Sequence, residues 1–261
     1  MKRRKLKQEA DINRFYKTNE RYFSRLKEKE FRKWFLKYYI HLKGIGEGLV
    51  LDVGCGVGQV VNRLAADGFA AIGLDISPIG IRNYSKTNIS QRASFIVASC
   101  YRMPFRGNVF DSVGCLGVLE HLDNPEVCID EMMRVTIEHG KTIVAGPNLL
   151  CPVYANDLKG MLGSVKMLLQ RIFGFRKSAD FEHREPILDD SKEIIEKDLD
   201  AVTLTDSATV RRLLTEKGVK ITYQSSYLGS RRIIEALSTL PLLRSIGGGI
   251  FLVGRKTHAR L

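Results

Sequence analysis

The chain has 261 residues, with 41 Lys plus Arg against 29 Asp plus Glu and a formal charge of +12. Its 44% hydrophobic and 27% charged residues give enough apolar surface for one α/β domain with insertions, which excludes a disordered chain. Five cysteines (Cys55, Cys100, Cys115, Cys128, Cys151) without a CxxC pair indicate neither a disulfide framework nor a zinc site, and read as reduced thiols suited to the cytoplasm.

The first 43 residues hold 15 Lys or Arg and 5 Asp or Glu, so nearly all the excess charge lies in one arm. No apolar stretch follows MKRRKLKQEADINRFYK, so it is not a secretory signal. The arm carries nine of the 22 aromatic residues. Phe23, Leu26, Phe31, Trp34, Phe35, Tyr38 and Leu42 recur at mostly three- and four-residue steps, which predicts an amphipathic helical arm ending near Gly44. Residues 44–261 form the domain proper. Three readings suit the arm: a helix that packs on the domain and covers its pocket, an attachment to an anionic membrane face, or an RNA-binding element.

From Leu49 the pattern changes to short apolar runs separated by helical segments, the pattern of a parallel sheet built from βαβ units. Strands are predicted at 49–53, 70–75, 94–98, 110–115, 141–146, 219–226 and 249–255. The fold class is therefore α/β, a Rossmann-like seven-stranded mostly parallel sheet with helices on both faces, the last strand antiparallel. Residues 147–205 read as an inserted lid without strand pattern. Within it, 158–177 holds Lys159, Lys166, Arg171, Arg176 and Lys177 with no acid, a second basic, apolar segment suited to a membrane surface. The apolar stretch at 237–254 is broken by Pro241, Arg244 and glycines and is too short to span a bilayer.

The motif that carries chemistry is VLDVGCGVGQ at 50–59, a strand delivering Asp52 and then Gly54, Gly56 and Gly58 before a helix. Such glycines let the backbone turn tightly and let a ligand approach the helix N-terminus. Gln59 stands where a dinucleotide fingerprint needs its last glycine. Nineteen residues after Gly56 the next strand ends in Asp75, placed to accept the hydroxyls of a ribose.

Together with RMPFRGNVFDSVGCLGVLEHLDNPE at 102–126 and RVTIEHGKTIVAGPN at 134–148, these segments resemble the class I S-adenosylmethionine-dependent methyltransferases, in particular those related to the ubiquinone and menaquinone enzymes. The resemblance is close over 45–148 and looser beyond. It implies S-adenosylmethionine as cofactor, with Asp52, Gly54, Gly56 and Gly58 on its methionine side, Asp75 on the ribose and Ile76 against the adenine. Ser99 and Cys100 occupy the adenine segment where the family often has an acid, and Leu116 and Gly117 would approach the methionyl group. His139-Gly140-Lys141 replaces the family's usual double glycine, a change that reads as an altered turn only.

In-line methyl transfer needs alignment and water exclusion rather than a metal. An oxygen acceptor would also need a base. His121, in a helix predicted to begin at Glu120-His121, and His183 in the insertion are the catalytic candidates, followed by Tyr154, Asp180 and Glu182. The expected acceptor is a small molecule, a lipid-linked intermediate or a glycan. RNA methylation, cofactor binding without catalysis and NAD-dependent oxidoreduction are the alternatives.

Overall fold

A computed structural model describes residues 4–5, 9–20, 22–23, 33–43, 48–85, 90–151, 162, 166, 181–184, 186–188, 200–226 and 247–257. The elements are β1 (Arg4–Lys5), α1 (Glu9–Thr18), α2 (Lys33–Leu42), β2 (Leu49–Val53), α3 (Gln59–Ala66), β3 (Ala70–Asp75), α4 (Pro78–Ser85), β4 (Ala93–Val97) and β5 (Phe110–Leu116). There follow a single 3-10 turn (Leu119–His121), α5 (Pro125–Val135), β6 (Thr136–Pro147), the short β7 (Glu182–His183), β8 (Ile187–Leu188) and β9 (Thr203–Leu204), then α6 (Ser207–Glu216), β10 (Val219–Ser225) and β11 (Gly249–Lys256).

Seven strands form one sheet in the order β10-β11-β6-β5-β2-β3-β4. The pairs among β2 to β6 are parallel, and β11 runs antiparallel to both β6 and β10. All seven expected strands are present, including the antiparallel last one. Their runs are continuously apolar because the sheet is covered on both sides. On β2, Leu51 and Val53 face a core completed by α5 and α6, with Ile129, Met132, Val210 and Leu214. Val50 faces the opposite core with Val60, Val61 and Leu64 of α3 and Tyr38, Tyr39 and Leu42 of α2.

The C-terminal half of the basic arm is thus a layer of the core. Tyr38 and Leu42 are completely buried, and a Cβ on Gly114 of β5 would meet Tyr38 Oη at 2.6 Å and Leu42 Cδ1 at 2.9 Å, so the glycine admits the helix. Lys37 Nζ donates to Ser225 Oγ (2.6 Å) and lies 4.9 Å from the Phe251 ring centroid, which fixes α2 across β10 and β11. Leu36 and Ile40 point outward. Leu26 and Phe31 lie outside the described residues.

Several local expectations need correction. The region 147–205 does contain strands: β7 pairs antiparallel with β9, and β8 pairs with β1, so the extreme N-terminus is stitched to the insertion. β6 begins at Thr136, five residues before the expected start, through an irregular register opposite β5. The helix after β5 does not start at Glu120-His121. These residues lie in the 3-10 turn, and α5 starts at Pro125, with Asn124 Oδ1 accepting the Val127 N–H as the cap. Lys141 does more than alter a turn: its ammonium donates to the carbonyls of His41 (2.8 Å) and Lys43 (3.0 Å) at the end of α2, while His139 takes φ 62°, the conformation a glycine would supply.

Candidate functional site

The carboxyl ends of β2, β3 and β5 meet at the loop 54–58. Gly54, Gly56 and Gly58 all have positive φ, at 69°, 55° and 74°. A Cβ would lie 2.3 Å from Val118 Cγ2 at Gly54 and 2.4 Å from Phe95 Cε1 at Gly58, so neither position has room for one. The N–H groups of Gly54 and Cys55 donate to Leu74 O (2.7 and 3.1 Å), which folds the loop back on the end of β3. Gly58 then leads into α3 as its N-cap, with no side-chain hydrogen bond capping the helix.

Asp75 ends β3 and ties the loop from below. Its Oδ2 accepts the Gly56 N–H and its Oδ1 the Ser77 N–H, both at 2.8 Å. Each carboxylate oxygen keeps a further lone pair, so the group retains capacity for two hydroxyl donors. Burial pushes the carboxyl up to about 6, against the lowering effect of the Ser77, Gly56 and Ile76 backbone. A loop too close-packed for side chains and an acid with spare acceptor sites fit the methionine and ribose ends of S-adenosylmethionine.

Asp52, one strand over, is occupied differently. Its Oδ1 accepts a 2.7 Å hydrogen bond from the Tyr38 hydroxyl of α2, and burial raises its carboxyl to about 7 although that bond lowers it. Ile76 is half-buried directly after Asp75. Ser99 Oγ accepts the Tyr101 N–H (3.2 Å), and a hydrogen bond with Cys100, then burial, push the Cys128 thiol of α5 up. Leu116 ends β5 and Gly117 follows it; Gly117 has φ 67°, and its N–H donates to Ala145 O (2.9 Å).

Beyond Gly117 the 3-10 turn presents Glu120 and His121. Glu120 is 2% exposed, and a Cβ placed on Gly146 would come within 3.3 Å of its carboxylate, a tight approach that the glycine avoids, whereas one on Gly117 would make an ordinary contact at 3.5 Å. His121 Nδ1 lies 2.8 Å from Tyr16 Oη and 3.5 Å from Asp200 Oδ2, and its Nε2 lies 3.7 Å from Glu120 Oε1. The Tyr16 hydroxyl also donates to Asp200 Oδ2 at 2.8 Å. Burial first, and then the Asp200 carboxylate, hold the Tyr16 phenol well above its ordinary range.

His183 stands apart from this group. It is exposed on β7, with Nδ1 3.0 Å from Thr203 Oγ1 across the β7–β9 pair. Glu182 precedes it as a half-buried residue, and Tyr154 and Asp180 lie outside the described residues. Sequence reasoning missed Tyr16, Asp200 and the Tyr38–Asp52 bond. Tyr16 and Asp200 are separated by 184 positions, and no motif joins them. Among the described residues no group of three His, Cys, Asp or Glu side chains is arranged to hold a metal ion, and no helix is long and apolar enough to cross a membrane.

The sequence profile of a family described as "Methyltransferase domain" matches residues 51–144. The chain is 34% identical to the sterol 4-C-methyltransferase of Caenorhabditis elegans over 98 residues, 36% of this chain and 29% of that one. It spans less than half the length of the first curated relatives it matches. Among solved structures it is similar to an S-adenosylmethionine-dependent methyltransferase from Mesorhizobium loti (TM-score 0.58, 13% identity, 85% of this chain and 97% of that one). It is also similar to magnesium protoporphyrin IX methyltransferase from Synechocystis, solved with bound S-adenosylhomocysteine (TM-score 0.54, 15% identity, 95% of this chain and 99% of that one). The sheet order, the glycine loop closed by Asp75 and the matched segment agree: residues 51–144 match a methyltransferase domain, set in the fold of S-adenosylmethionine-dependent methyltransferases.

Proposed function

We propose that the protein transfers a methyl group from S-adenosylmethionine to a small-molecule or lipid-linked acceptor. The observation that carries this reading is the loop of three left-handed glycines pinned to the Asp75 carboxylate. In this reading Gly54, Gly56, Gly58 and the α3 N-terminus hold the amino-acid end of the cofactor, and Leu116 and Gly117 its methionyl chain. Asp75 accepts the ribose hydroxyls, while Ile76, Ser99 and Cys100 flank the adenine. Asp52 acts through its bond to Tyr38 by holding the start of the loop. When bound, the cofactor supplies an electrophilic methyl on a positively charged sulfur. The chain's own part is to orient the acceptor, exclude water and accept a proton where the acceptor has one to lose.

A small, largely apolar acceptor is supported by the likeness to a sterol 4-C-methyltransferase and to magnesium protoporphyrin IX methyltransferase. For delivery of such an acceptor we assign the basic segments 1–43 and 158–177 to the cytoplasmic face of an anionic membrane. The charge of the arm and the outward Leu36, Ile40 and Leu162 support this assignment.

Isothermal titration with S-adenosylhomocysteine and with NAD tests the core of the reading: S-adenosylhomocysteine is expected to bind, and binding of NAD alone would refute it. Methyl-labelled cofactor incubated with separate lipid, metabolite and RNA extracts tests the acceptor class. Label found only in RNA would overturn the small-molecule assignment. Sedimentation with phosphatidylglycerol and phosphatidylcholine vesicles tests the membrane assignment, which fails if both lipids bind equally.

A further inference from the structure

We propose that Phe23 is a cofactor-site residue carried by the arm, and that the segment from Tyr16 to Phe23 is a strap that must lift for the cofactor to enter or leave. The proposal rests on the methyltransferase reading above. It adds a wall of the site that lies outside the matched segment 51–144, and a control on cofactor exchange.

The segment is anchored at both ends. Phe23 is 2% exposed, and its ring lies on the first turn of α4: a Cβ built on Gly80 would meet Phe23 Cδ1 and Gly56 O, each at 2.8 Å. Arm ring, helix turn and glycine loop therefore meet at one point, where a residue without a side chain is needed. The N–H of the same Gly56 donates to Asp75 Oδ2, so Phe23 abuts the part of the loop that is bound to the ribose acid. At the other end the Tyr16 hydroxyl donates to Asp200 Oδ2 (2.8 Å), and its ring meets His121 edge-to-face with centroids 5.5 Å apart. Between the anchors Tyr22 packs edge-to-face on Tyr16 (5.4 Å) and on Phe23 (5.1 Å). Asn19 Oδ1 accepts the Tyr22 N–H (3.0 Å), which fixes the turn out of α1.

The two anchors flank the cofactor. α4 follows the end of β3, where Asp75 takes the ribose, and the 3-10 turn follows the end of β5, beside the residues assigned to the methionyl chain. β2 with its glycine loop lies between β3 and β5 in the sheet. A segment fixed at α4 and at the 3-10 turn thus crosses the carboxyl edge of the three strands that hold the cofactor, and its rings keep water from that edge.

The chain on either side of the segment is held as well. Arg4 and Lys5 pair with β8 before it, and α2 is a layer of the core after it, so the segment opens as a strap and not as a free tail. Opening exchanges the Tyr16–Asp200 bond for bonds to water, at a net cost small enough for repeated opening. Arg14 and Lys17 of α1 are exposed, so docking leaves the charge of the arm outside.

A strap and a plain contact differ in kinetics. A contact made only in the complex changes the dissociation rate, whereas a strap docked with and without cofactor limits entry and exit alike, so loosening it raises both rates together. Surface plasmon resonance on the captured full-length chain, with S-adenosylhomocysteine as analyte, reads both rates. Tyr16→Phe, which removes the bond to Asp200, is expected to raise association and dissociation each by about threefold or more while Kd stays within about threefold. Phe23→Ala, which removes the wall, is expected to weaken binding by about tenfold or more. An unchanged association rate in Tyr16→Phe overturns the strap, and an unchanged affinity in Phe23→Ala overturns the place of Phe23 in the site. Should either variant fail to fold, hydrogen exchange of the parent over residues 15–20, 22 and 23 decides: protection is expected to rise when S-adenosylhomocysteine is bound, and equal protection with and without it overturns the proposal. A parent that binds no S-adenosylhomocysteine overturns the methyltransferase reading itself, an outcome distinct from binding with unchanged rates.

Discussion

Tyr38→Phe isolates a bond between the arm and the sheet, and its cost depends on pH in a way the structure fixes. Asp52 is buried with a carboxyl raised to about 7 from the ordinary value of 3.8, and Tyr38 is the donor that lowers it. A carboxyl raised in the folded state binds its proton more tightly than the unfolded chain does. Its contribution to stability is therefore full below about pH 4 and is lost as pH climbs through about 7. The loss is roughly 4 kcal/mol in all, since each tenfold difference in proton affinity is worth about 1.4 kcal/mol. Without the phenol, the folded carboxyl moves higher still. At pH 5, where Asp52 is protonated, the variant loses a neutral hydrogen bond, about 1 kcal/mol; at pH 8 it loses one to a charged group, about 2–3 kcal/mol. Urea unfolding at pH 5, 6, 7 and 8 is the assay, with a constant m-value as the check that only stability has changed. Asp52→Asn supplies the converse, a variant whose stability gains on the parent as pH rises. Equal destabilisation of Tyr38→Phe at pH 5 and pH 8 would refute the account of Asp52.

Asp75, held at about 6, accepts ribose hydroxyls better when ionised. S-adenosylhomocysteine affinity is therefore expected to rise between pH 5 and 7, a rise that calorimetry should find absent in Asp75→Asn. Gly58→Ala combines a φ of 74° with a Cβ 2.4 Å from Phe95, and should lower that affinity at least tenfold. Gly68→Ala, with φ 91° and nothing within 4 Å, should cost only the backbone strain of about 1–2 kcal/mol and leave binding unchanged. Gly114→Ala pushes against Tyr38 and Leu42, and thermal unfolding should show a loss of about 1–3 kcal/mol. Lys141→Met removes the ammonium from the His41 and Lys43 carbonyls at the end of α2 and should cost about 1–2 kcal/mol in urea titration, with cofactor affinity retained.

The seven long strands were legible because a sheet covered on both faces needs uninterrupted apolar runs, and LVLDV or FDSVGC can hardly be anything else. The glycine loop was legible because its backbone angles admit few other residues. β7, β8 and β9 were not: each is two residues long, and Glu182-His183 or Thr203-Leu204 carry no period that marks a pairing partner. In the arm the spacing pointed to helix and placed Tyr38 and Leu42 on one face, but it could not say that this face would meet the sheet while Leu36 and Ile40 met solvent. The His121 group was half visible. The histidine follows a recognisable strand end, whereas Tyr16, 105 positions away, reaches it only through tertiary packing.

The antiparallel β11 sits between β6 and β10 and hydrogen-bonds to both, so it is an interior strand although the other sheet strands all precede it in sequence. During synthesis, β6 can pair with β5 but keeps a bare edge through the next hundred or so residues. That edge is an apolar template open to wrong partners until Gly249–Lys256 leaves the ribosome. β10 has no neighbour in the sheet before then. Closure of the sheet is therefore a late, non-local event whose rate is limited by loop closure over β6 to β11, and the protein should depend on chaperones more than its compact parallel half would require.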